Sequence, residues 1–521
     1  MGPAAEGLVV VRRALVSVDD PRGLVPFGRS LLDAGVELLA TEGTRRRLHE
    51  GGVPARPAEE LTGIGAWFGG RIKTLHPGLL GGILAPRTAD GLAELERRGL
   101  LPIDLVAVNF YPFARRLGED PRADDLEEFV DVGGVTLARA AAKNHAWVAG
   151  LTDPGQYGAV QRELTASGGA LSLETRRALA VAAFERTAAY DALIARGIRR
   201  APAPTEFPDR VVLQRESVRL RYGENPHQAA AVYRMEAGAP SGFRAEPFEL
   251  LKGDALSFTN LLDLETAVAT VAEFTTPTAA VVKHATPIGV ASSETVTEAI
   301  ARAVGTDPVA RYGCVVAVNR PLTPTEVAPF HGVFVDLLAA PEVEAGAAEL
   351  LAARRKLKVV RTGPRSLAEP TWEAHSALGR VLLQESDRRE LDAKDLRLVT
   401  SRPATDEEQR ALQFAWRVVR HAKSNAIVLA RGSATVGMGS GQPTRVKAVE
   451  LAVGVAGPRA AGSVLASDAF FPFPDGMEVA ARAGVTAVIQ PGGSLRDREV
   501  IEVAERHGIS MYLTGWRVFR H

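Results

Sequence analysis

The chain has 521 residues and a mass of 55.4 kDa, room for about three or four domains at roughly 150 residues each; its 46% hydrophobic and 24% charged content is ordinary for globular proteins. The 62 basic residues balance 62 acidic ones, which argues against a general nucleic-acid or anionic-membrane binder and leaves only local basic sites for a phosphorylated metabolite. A single cysteine, Cys314, excludes an internal disulfide and a cysteine-cluster metal site, and the ten histidines lack metal-binding spacing, so no metal is expected.

Arg12, Arg13, Asp19 and Asp20 flank a short apolar run at the N-terminus, and no stretch reaches the roughly 18 apolar residues of a membrane span. A cytoplasmic protein is expected. Only nine of the 62 basic residues are lysine: Lys73, Lys143, Lys252, Lys283, Lys356, Lys358, Lys394, Lys423 and Lys447. In so arginine-rich a chain a lysine marks either a site that needs a compact, titratable ammonium or simple drift.

In chain order, residues 36–40 read as a strand, 41–44 as a glycine-containing turn and 44–49 as a helix start. Residues 105–109 form a short, wholly apolar strand of the kind buried on both faces. Helical patterns follow over 126–130 and 136–142 around a Gly133-Gly134 break, and 147–151 return as a strand. This alternation predicts a parallel sheet wrapped by helices. The proline-rich stretch 201–208 cannot continue a helix or central strand and sets the main domain boundary. Beyond it, strands are expected at 279–282, 315–318, 426–430, 487–490 and 510–513, in an α/β half whose two subdomains meet between about residues 360 and 410.

The segment Gly69-Gly70-Arg71-Ile72-Lys73-Thr74-Leu75-His76-Pro77 concentrates glycine, a guanidinium, an ammonium and a hydroxyl in a loop suited to a phosphate or carboxamide oxygen. Thr41-Glu42-Gly43-Thr44 sits where a strand hands over to a helix; it offers either amides to a ligand or a plain N-cap by Thr44. Asn109-Phe110-Tyr111 lies at the carboxyl end of a buried strand, the usual ligand edge of an open α/β sheet, although Tyr111 also suits a core position. Asp131 and Lys143 stand on the two sides of a short helix, as site residues or as a salt bridge.

In order and wording these segments resemble the IMP cyclohydrolase domain of the bifunctional purine biosynthesis family, over about residues 8–200. The resemblance implies a methylglyoxal-synthase-like doubly wound parallel sheet, with Lys73, Tyr111, Asp131 and Lys143 at the ring-closing site and Thr41, Gly43, Thr44, Arg71, Thr74 and Asn109 binding substrate. There a carboxamide nitrogen attacks the 5-formamido carbon of FAICAR and water leaves, giving IMP. Ring closure needs a polarising donor, a proton acceptor and a proton donor, which ammonium, carboxylate and phenol groups supply. The chain departs from the family in the phosphate loop: Asp19 and Pro21 replace a hydroxyl residue and a lysine, and Glu42 replaces a glycine. Carboxylates facing a phosphate dianion repel it unless they point away or Arg22, Arg45 or Arg71 compensates.

In the second half, Leu220-Arg221-Tyr222-Gly223-Glu224-Asn225-Pro226-His227-Gln228 is dense in planar donors and turn residues. Val281-Val282-Lys283-His284 ends an apolar strand, and because adjacent strand residues face opposite ways, Lys283 and His284 serve one site only if the strand ends or bends there. Gly437-Met438-Gly439-Ser440-Gly441 lacks the Gly-x-Gly-x-x-Gly spacing and later acidic residue of a dinucleotide loop, so NAD is rejected.

Together with the segments 307–313, 423–425 and 467–475, this half resembles the AICAR transformylase domain of the same family, over about residues 212–521. The fold class implied is α/β throughout, with domains at 1–200 and 209–521, the second a pair of cytidine-deaminase-like subdomains without their zinc. His284 is then the base for the 5-amino nucleophile, Lys283 assists at the formyl centre and Asn425 orients the reacting groups. Arg221, Tyr222, Gly313, Asp336, Phe470 and Arg517 would bind AICAR, and Arg445, Pro472, Phe473 and Asp475 the folate. The donor is 10-formyltetrahydrofolate, with no metal required, and the resemblance implies a homodimer with the transformylase site at the interface. AICAR, FAICAR, IMP and folate are thus the expected small-molecule partners, with no nucleic acid or membrane. Two alternatives stand beside this reading: a transformylase with an inactive or ligand-sensing N-terminal domain, and the same reactions on an AICAR analogue in a specialised nucleoside pathway.

Overall fold

A computed structural model describes residues 7–65, 67–68, 71–119, 125–198, 207, 211–235, 248–330, 332–363 and 372–521. The chain divides into two compact units, residues 1–212 with 235–240, and residues 213–234 with 241–521. Apart from Phe207, the proline-rich boundary segment 201–208 lies outside the described residues, as do Gly69 and Gly70. Among the described residues no helix is long and apolar enough to cross a membrane.

The first unit is built on a five-stranded sheet in the order Arg56–Pro57, Glu37–Ala40, Arg13–Ser17, Leu105–Val108, Ala149–Leu151, with every neighbouring pair parallel. All of Leu105–Val108 is buried because helices cover both sheet faces. Helix Leu24–Asp33 shows how: Leu24, Phe27, Gly28 and Leu31 recur at helical spacing and point inward, and Phe27 stacks on Tyr157 with centroids 4.3 Å apart. Each such buried Leu or Phe contributes about 1.5–3 kcal/mol. Chain order runs outward in one direction from Arg13–Ser17 and then resumes on its other side, so the carboxyl ends of Arg13–Ser17, Glu37–Ala40 and Leu105–Val108 flank the switch point where such sheets open a crevice.

Helix Gly133–Lys143 corrects one sequence expectation. The glycine pair is its first turn, not a break between helices, and residues 126–129 form a separate 3-10 turn.

The second unit holds one twelve-stranded mixed sheet, in the order Phe248–Lys252, Lys358–Thr362, Val335–Ala340, Cys314–Val318, Thr278–Lys283, Thr286–Ser292, Ala434–Gly439, Ile427–Arg431, Val464–Ser467, Ala487–Gln490, Ser510–Leu513, Arg397–Leu398. Its two halves join through the antiparallel pair Ala291 and Ala434. Helices Phe258–Ala272 and Asp406–Val419 share a core that includes Leu264, Val271, Trp416 and Val419. Both begin with reciprocal capping boxes, Ser257 with Asn260 and Thr405 with Glu408, which satisfy first-turn amides.

The glycine run at 437–441 has a packing explanation. A Cβ on Gly437 would lie 2.1 Å from the Ala452 carbonyl oxygen, and one on Gly439 2.0 Å from that of Ala448. Only glycine lets helix Arg445–Ala456 approach the strand this closely.

Candidate active sites

In the first unit Lys73, Tyr111 and Asp131 converge. The Lys73 ammonium donates to the Tyr111 hydroxyl at 2.9 Å and lies 5.4 Å from its ring centroid. Burial pushes the Asp131 carboxyl above the ordinary aspartate range, while the backbone amides of Gly134 and Tyr111 and the Lys73 charge oppose the rise. Gly134 N–H donates to Asp131 Oδ1 at 2.6 Å, and the Tyr190 hydroxyl accepts from the Asp131 amide at 3.0 Å while donating to the Phe129 carbonyl at 3.1 Å. Space is tight here: a Cβ on Gly134 would sit 2.4 Å from Asp131 Oδ2, and one on Gly133 2.4 Å from the Thr74 hydroxyl oxygen. Thr74 therefore belongs to the same cluster.

Lys143 is not brought to this cluster within one chain. It ends helix Gly133–Lys143, about 15 Å of helical rise from the end that faces Asp131, with its side chain exposed.

Asn109 holds the protein's own loop. Its Oδ1 accepts from the amides of Asp19 at 2.6 Å and Asp20 at 3.0 Å, and its Nδ2 donates to the Asp20 carbonyl at 3.0 Å. Thr41 is the N-cap residue, without a side-chain cap bond. Thr44 is not a cap: its buried hydroxyl accepts from the Val18 amide at 2.9 Å and ties the loop after the first sheet strand to the helix. Gly43 has nothing within 4 Å of where a Cβ would stand. Of the substituted carboxylates only Glu42 is paired among the described residues, by Arg45 at 2.9 and 3.1 Å; Arg22 grips Asp20 at 2.7 Å and Arg71 pairs with Glu128, while the Asp19 charge adds to the rise of the Asp131 carboxyl. All three candidate compensating arginines thus face carboxylates already.

In the second unit the strand ends where the sequence required it to. Thr278–Lys283 stops at Lys283, and His284 and Ala285 follow in the left-handed region at φ 57° and 53°. That turn is held by Asp263, whose Oδ1 accepts the Ala285 amide at 2.5 Å; burial pushes the Asp263 carboxyl upward, with the Ala285 amide bond opposing. Lys283 Nζ donates to the carbonyls of Tyr312 at 2.8 Å and Ala310 at 3.3 Å, so the ammonium is fixed beside Gly313. Gly313, at φ 75°, donates its amide to Phe334. Asp336 is braced from two sides at 2.8 Å, by Lys358 Nζ and by Asn260 Nδ2. Arg221 stacks 5.4 Å from the Tyr222 ring, and the backbones of both are pinned to Leu256 and Phe258 at the start of helix Phe258–Ala272.

On the other half of the sheet, Asn425 precedes Ile427–Arg431. Arg445, expected to face substrate and folate, is only 4% exposed; its guanidinium grips Asp468, the Ala426 carbonyl at 3.0 Å and Asn425 Oδ1 at 2.7 Å. Phe470 and Phe473 are 41% and 51% exposed around buried Phe471 and half-buried Pro472, and Arg496 lies 5.3 Å from the Phe473 ring centroid. Asp475 opens helix Asp475–Arg482 and accepts the Gly476 amide at 2.7 Å; exposed Arg517 stacks on Phe519.

Strand directions put Lys283, His284, Gly313, Asp336, Asn425 and Arg517 at one edge of the sheet. Yet Thr278–Lys283 and Ile427–Arg431 are separated by two intervening strands, so Lys283 and Asn425 stand about 14 Å apart at the usual strand spacing. Each half carries its own group. Cys314, at the same edge, is buried, and burial raises its thiol to about 11, which keeps it protonated. Among the described residues no cluster of three or more His, Cys, Asp or Glu is arranged to hold a metal.

Sequence reasoning gave no role to Asp263, Tyr190, Asn260, Asp468 or Lys358; Asp468 carried a signal as part of the segment 467–475, and Lys358 as one of the rare lysines.

The family described as AICARFT/IMPCHase bienzyme matches residues 141–454, and the MGS-like domain matches residues 23–136. The bifunctional purine biosynthesis protein PurH of Anaeromyxobacter dehalogenans strain 2CP-C is 44% identical over 526 residues, covering 98% of this chain and 100% of that protein. The PurH proteins of Anoxybacillus flavithermus and Rhodospirillum rubrum are 43% and 42% identical, each covering 98% of this chain and 100% and 99% of their own lengths. The crystal structure of ForH shares 38% identity, covers 36% of this chain and 99% of that one, and superposes with a TM-score of 0.33. With one family matching more than half of the chain and relatives aligned end to end, this chain belongs to the AICARFT/IMPCHase bienzyme family and is a bifunctional enzyme of purine biosynthesis.

Proposed function

We propose that the second unit transfers the formyl group of 10-formyltetrahydrofolate to the 5-amino group of AICAR and that the first closes the resulting FAICAR to IMP, with Lys73, Tyr111 and Asp131 acting in ring closure and Lys283, His284 and Asn425 in formyl transfer. The observation that carries the reading is the strand end at Lys283: the left-handed residues His284 and Ala285 take His284 out of the alternating strand pattern directly after Lys283, at an edge that also carries Asp336 and Gly313.

The aryl amine is a poor nucleophile, so His284 takes its proton as the nitrogen attacks the formyl carbon. Lys283 stabilises the oxyanion of the tetrahedral adduct. Collapse breaks the bond to the folate nitrogen, which receives the proton. In ring closure Asp131 accepts one carboxamide proton as that nitrogen attacks, while the Lys73–Tyr111 pair polarises the formamido oxygen and protonates it to a hydroxyl; that hydroxyl takes a second proton and leaves as water as the former formamido N–H proton is lost, which forms the C=N bond of the new ring.

The distance between the Lys283 and Asn425 groups supports a homodimer in which a second copy completes each transformylase site. Arg221, Tyr222, Asp336, Phe470 and Arg517 would bind AICAR, and Pro472, Phe473 and Asp475 the folate. The cytoplasm, where purine precursors and reduced folates are found, is the compartment this chemistry requires.

The test is absorbance-followed cyclisation of FAICAR with no folate present, beside formylation of AICAR. Loss of cyclisation in Lys73→Ala and of formylation in His284→Ala supports the assignment, and undiminished turnover in either sinks that half of it. Lys143→Ala decides whether Lys143 acts in ring closure from its distant position. The pairing of Arg22, Arg45 and Arg71 with carboxylates favours a second reading, the same ring closure on a substrate without a phosphate dianion. Faster turnover of the dephosphorylated or C-nucleoside analogue than of FAICAR would select it.

A further inference from the structure

Asp468 follows strand Val464–Ser467 and is fully buried, with 0% of its surface exposed. A buried carboxylate persists only where its oxygens are met by charge and hydrogen bonds. Oδ1 accepts the Ala426 amide at 2.9 Å and a bond from Arg445 Nη1; Oδ2 accepts the Ser424 hydroxyl. The Asp468 carbonyl accepts the Val518 amide at 2.9 Å, which ties in the segment leading to Arg517.

These contacts bracket Asn425 without touching it. Its own amide is held by two other groups: Oδ1 accepts from Arg445 Nη2 at 2.7 Å, and Nδ2 donates to the Gln442 carbonyl at 2.8 Å. The amide plane is therefore fixed, with one Nδ2 hydrogen and one Oδ1 lone pair left for a ligand. Arg445 Nη1 also donates to the Ala426 carbonyl at 3.0 Å, while its buried Nε has no partner, so the guanidinium is oriented entirely by its forked end.

We propose that Asp468 is a positioning residue for formyl transfer: by fixing the Arg445 fork and the backbone on both sides of Asn425, it sets the direction of the Asn425 amide. The proposal rests on the reading of Asn425 as a formyl-transfer residue. A staple between strand and helix would need only the Asp468–Arg445 pair. The bond from Arg445 to the half-buried Asn425 amide, at the ligand edge of the sheet, goes beyond that.

The test is a double-mutant cycle on the full-length protein, with kcat and the AICAR KM of formylation as readouts. Asp468→Asn keeps shape and one acceptor oxygen but removes the charge that anchors the fork. Its kcat should fall by about tenfold to a hundredfold, the usual effect of sub-ångström to ångström misplacement, with KM within about threefold. In an Asn425→Ala background the same substitution should cost less than about twofold, because the group it positions is gone.

If Asp468→Asn fails to fold, judged by an altered thermal melt, Arg445→Lys carries the test: it keeps the positive charge beside Asp468 but lacks the fork, and should show the same background dependence. Equal factors in the wild-type and Asn425→Ala backgrounds, or an unchanged kcat in both, overturn the proposal. Undiminished formylation by Asn425→Ala alone overturns it at its root, by removing Asn425 from the reaction.

Discussion

Gly134→Ala tests the ring-closing site without changing any polar side chain. A Cβ at this position would stand 2.4 Å from Asp131 Oδ2 and 3.1 Å from Oδ1, so the carboxylate must retreat by about 1 Å to reach ordinary contact. Retreat breaks the 2.6 Å bond from Gly134 N–H to Asp131, a charge-assisted contact of about 1.5–3 kcal/mol. Against this, alanine in place of glycine in the first turn of helix Gly133–Lys143 gains up to about 1 kcal/mol of helix propensity. The net change in stability is a loss of about 0.5–2 kcal/mol, small enough to leave the protein folded. Displacing the proton acceptor by about 1 Å lowers reactivity about a hundredfold. Folate-free FAICAR cyclisation should therefore drop about a hundredfold while formylation by the same preparation is unchanged. Gly118→Ala, in helix Phe113–Glu119 where a Cβ meets nothing, checks that an added methyl is not itself the cause. Wild-type cyclisation by folded Gly134→Ala would refute the role given to Asp131.

Asp263→Ala removes the acceptor that holds the left-handed His284–Ala285 turn, and the loss of a charged hydrogen bond worth about 1.5–3 kcal/mol predicts a roughly tenfold to hundredfold lower formylation kcat; Asp263→Asn, which keeps an acceptor oxygen, should recover most of it. Because burial raises the Asp131 carboxyl above its ordinary 3.8, cyclisation should be lost as pH falls through a midpoint above that value, as read from a kcat profile. The linked stability has the opposite sense: the raised group favours the fold when protonated and its contribution is lost as pH rises through the folded pKa, so Asp131→Asn should melt no lower than wild type at pH 7, as calorimetry would show. Lys358→Met leaves Asp336 with Asn260 as its remaining described brace, and should raise the AICAR KM by about tenfold with a smaller change in kcat, measured by steady-state formylation.

The elements were legible because their signals are local. The apolar run at 105–108 could only be a buried strand, and the alternation argument at Lys283–His284 required the strand end that the backbone makes. The helix after Ala40 starts at Glu42, within the turn read at 41–44, and this puts Glu42 and Arg45 three residues apart on one helix as an ion pair. The supporting residues were not legible because their partners are distant in sequence: Tyr190 meets Asp131 across 59 positions, Lys358 meets Asp336 across 22, and Asp468 reaches Ala426 across 42. No periodicity encodes such pairs. Asn109 shows the converse limit, since a polar residue at the end of a sheet strand suits a ligand or a neighbouring loop equally, and here it binds the loop.

Four of the nine lysines direct their ammonium groups at oxygens held within the fold. Lys73 meets a phenol oxygen, Lys283 two carbonyls, Lys252 the carbonyls of Arg354 and Leu357, and Lys358 one oxygen of Asp336. Each target is a single oxygen or a pair of converging ones, approached by a compact tetrahedral donor; none offers the two parallel acceptors that suit a guanidinium fork. Parallel acceptors, at Glu42, Glu408 and Glu499, are met by arginine, although arginine also takes backbone carbonyls, as Arg87, Arg176 and Arg459 do. The exposed pairs of Lys394 with Asp392 and Lys447 with Glu450 lack such a constraint and are the ones drift can explain. In a chain that otherwise writes its positive charge as arginine, the proposed roles give Lys73 a chemical reason to be lysine: ring closure calls for a donor that can also give up a proton, and arginine cannot.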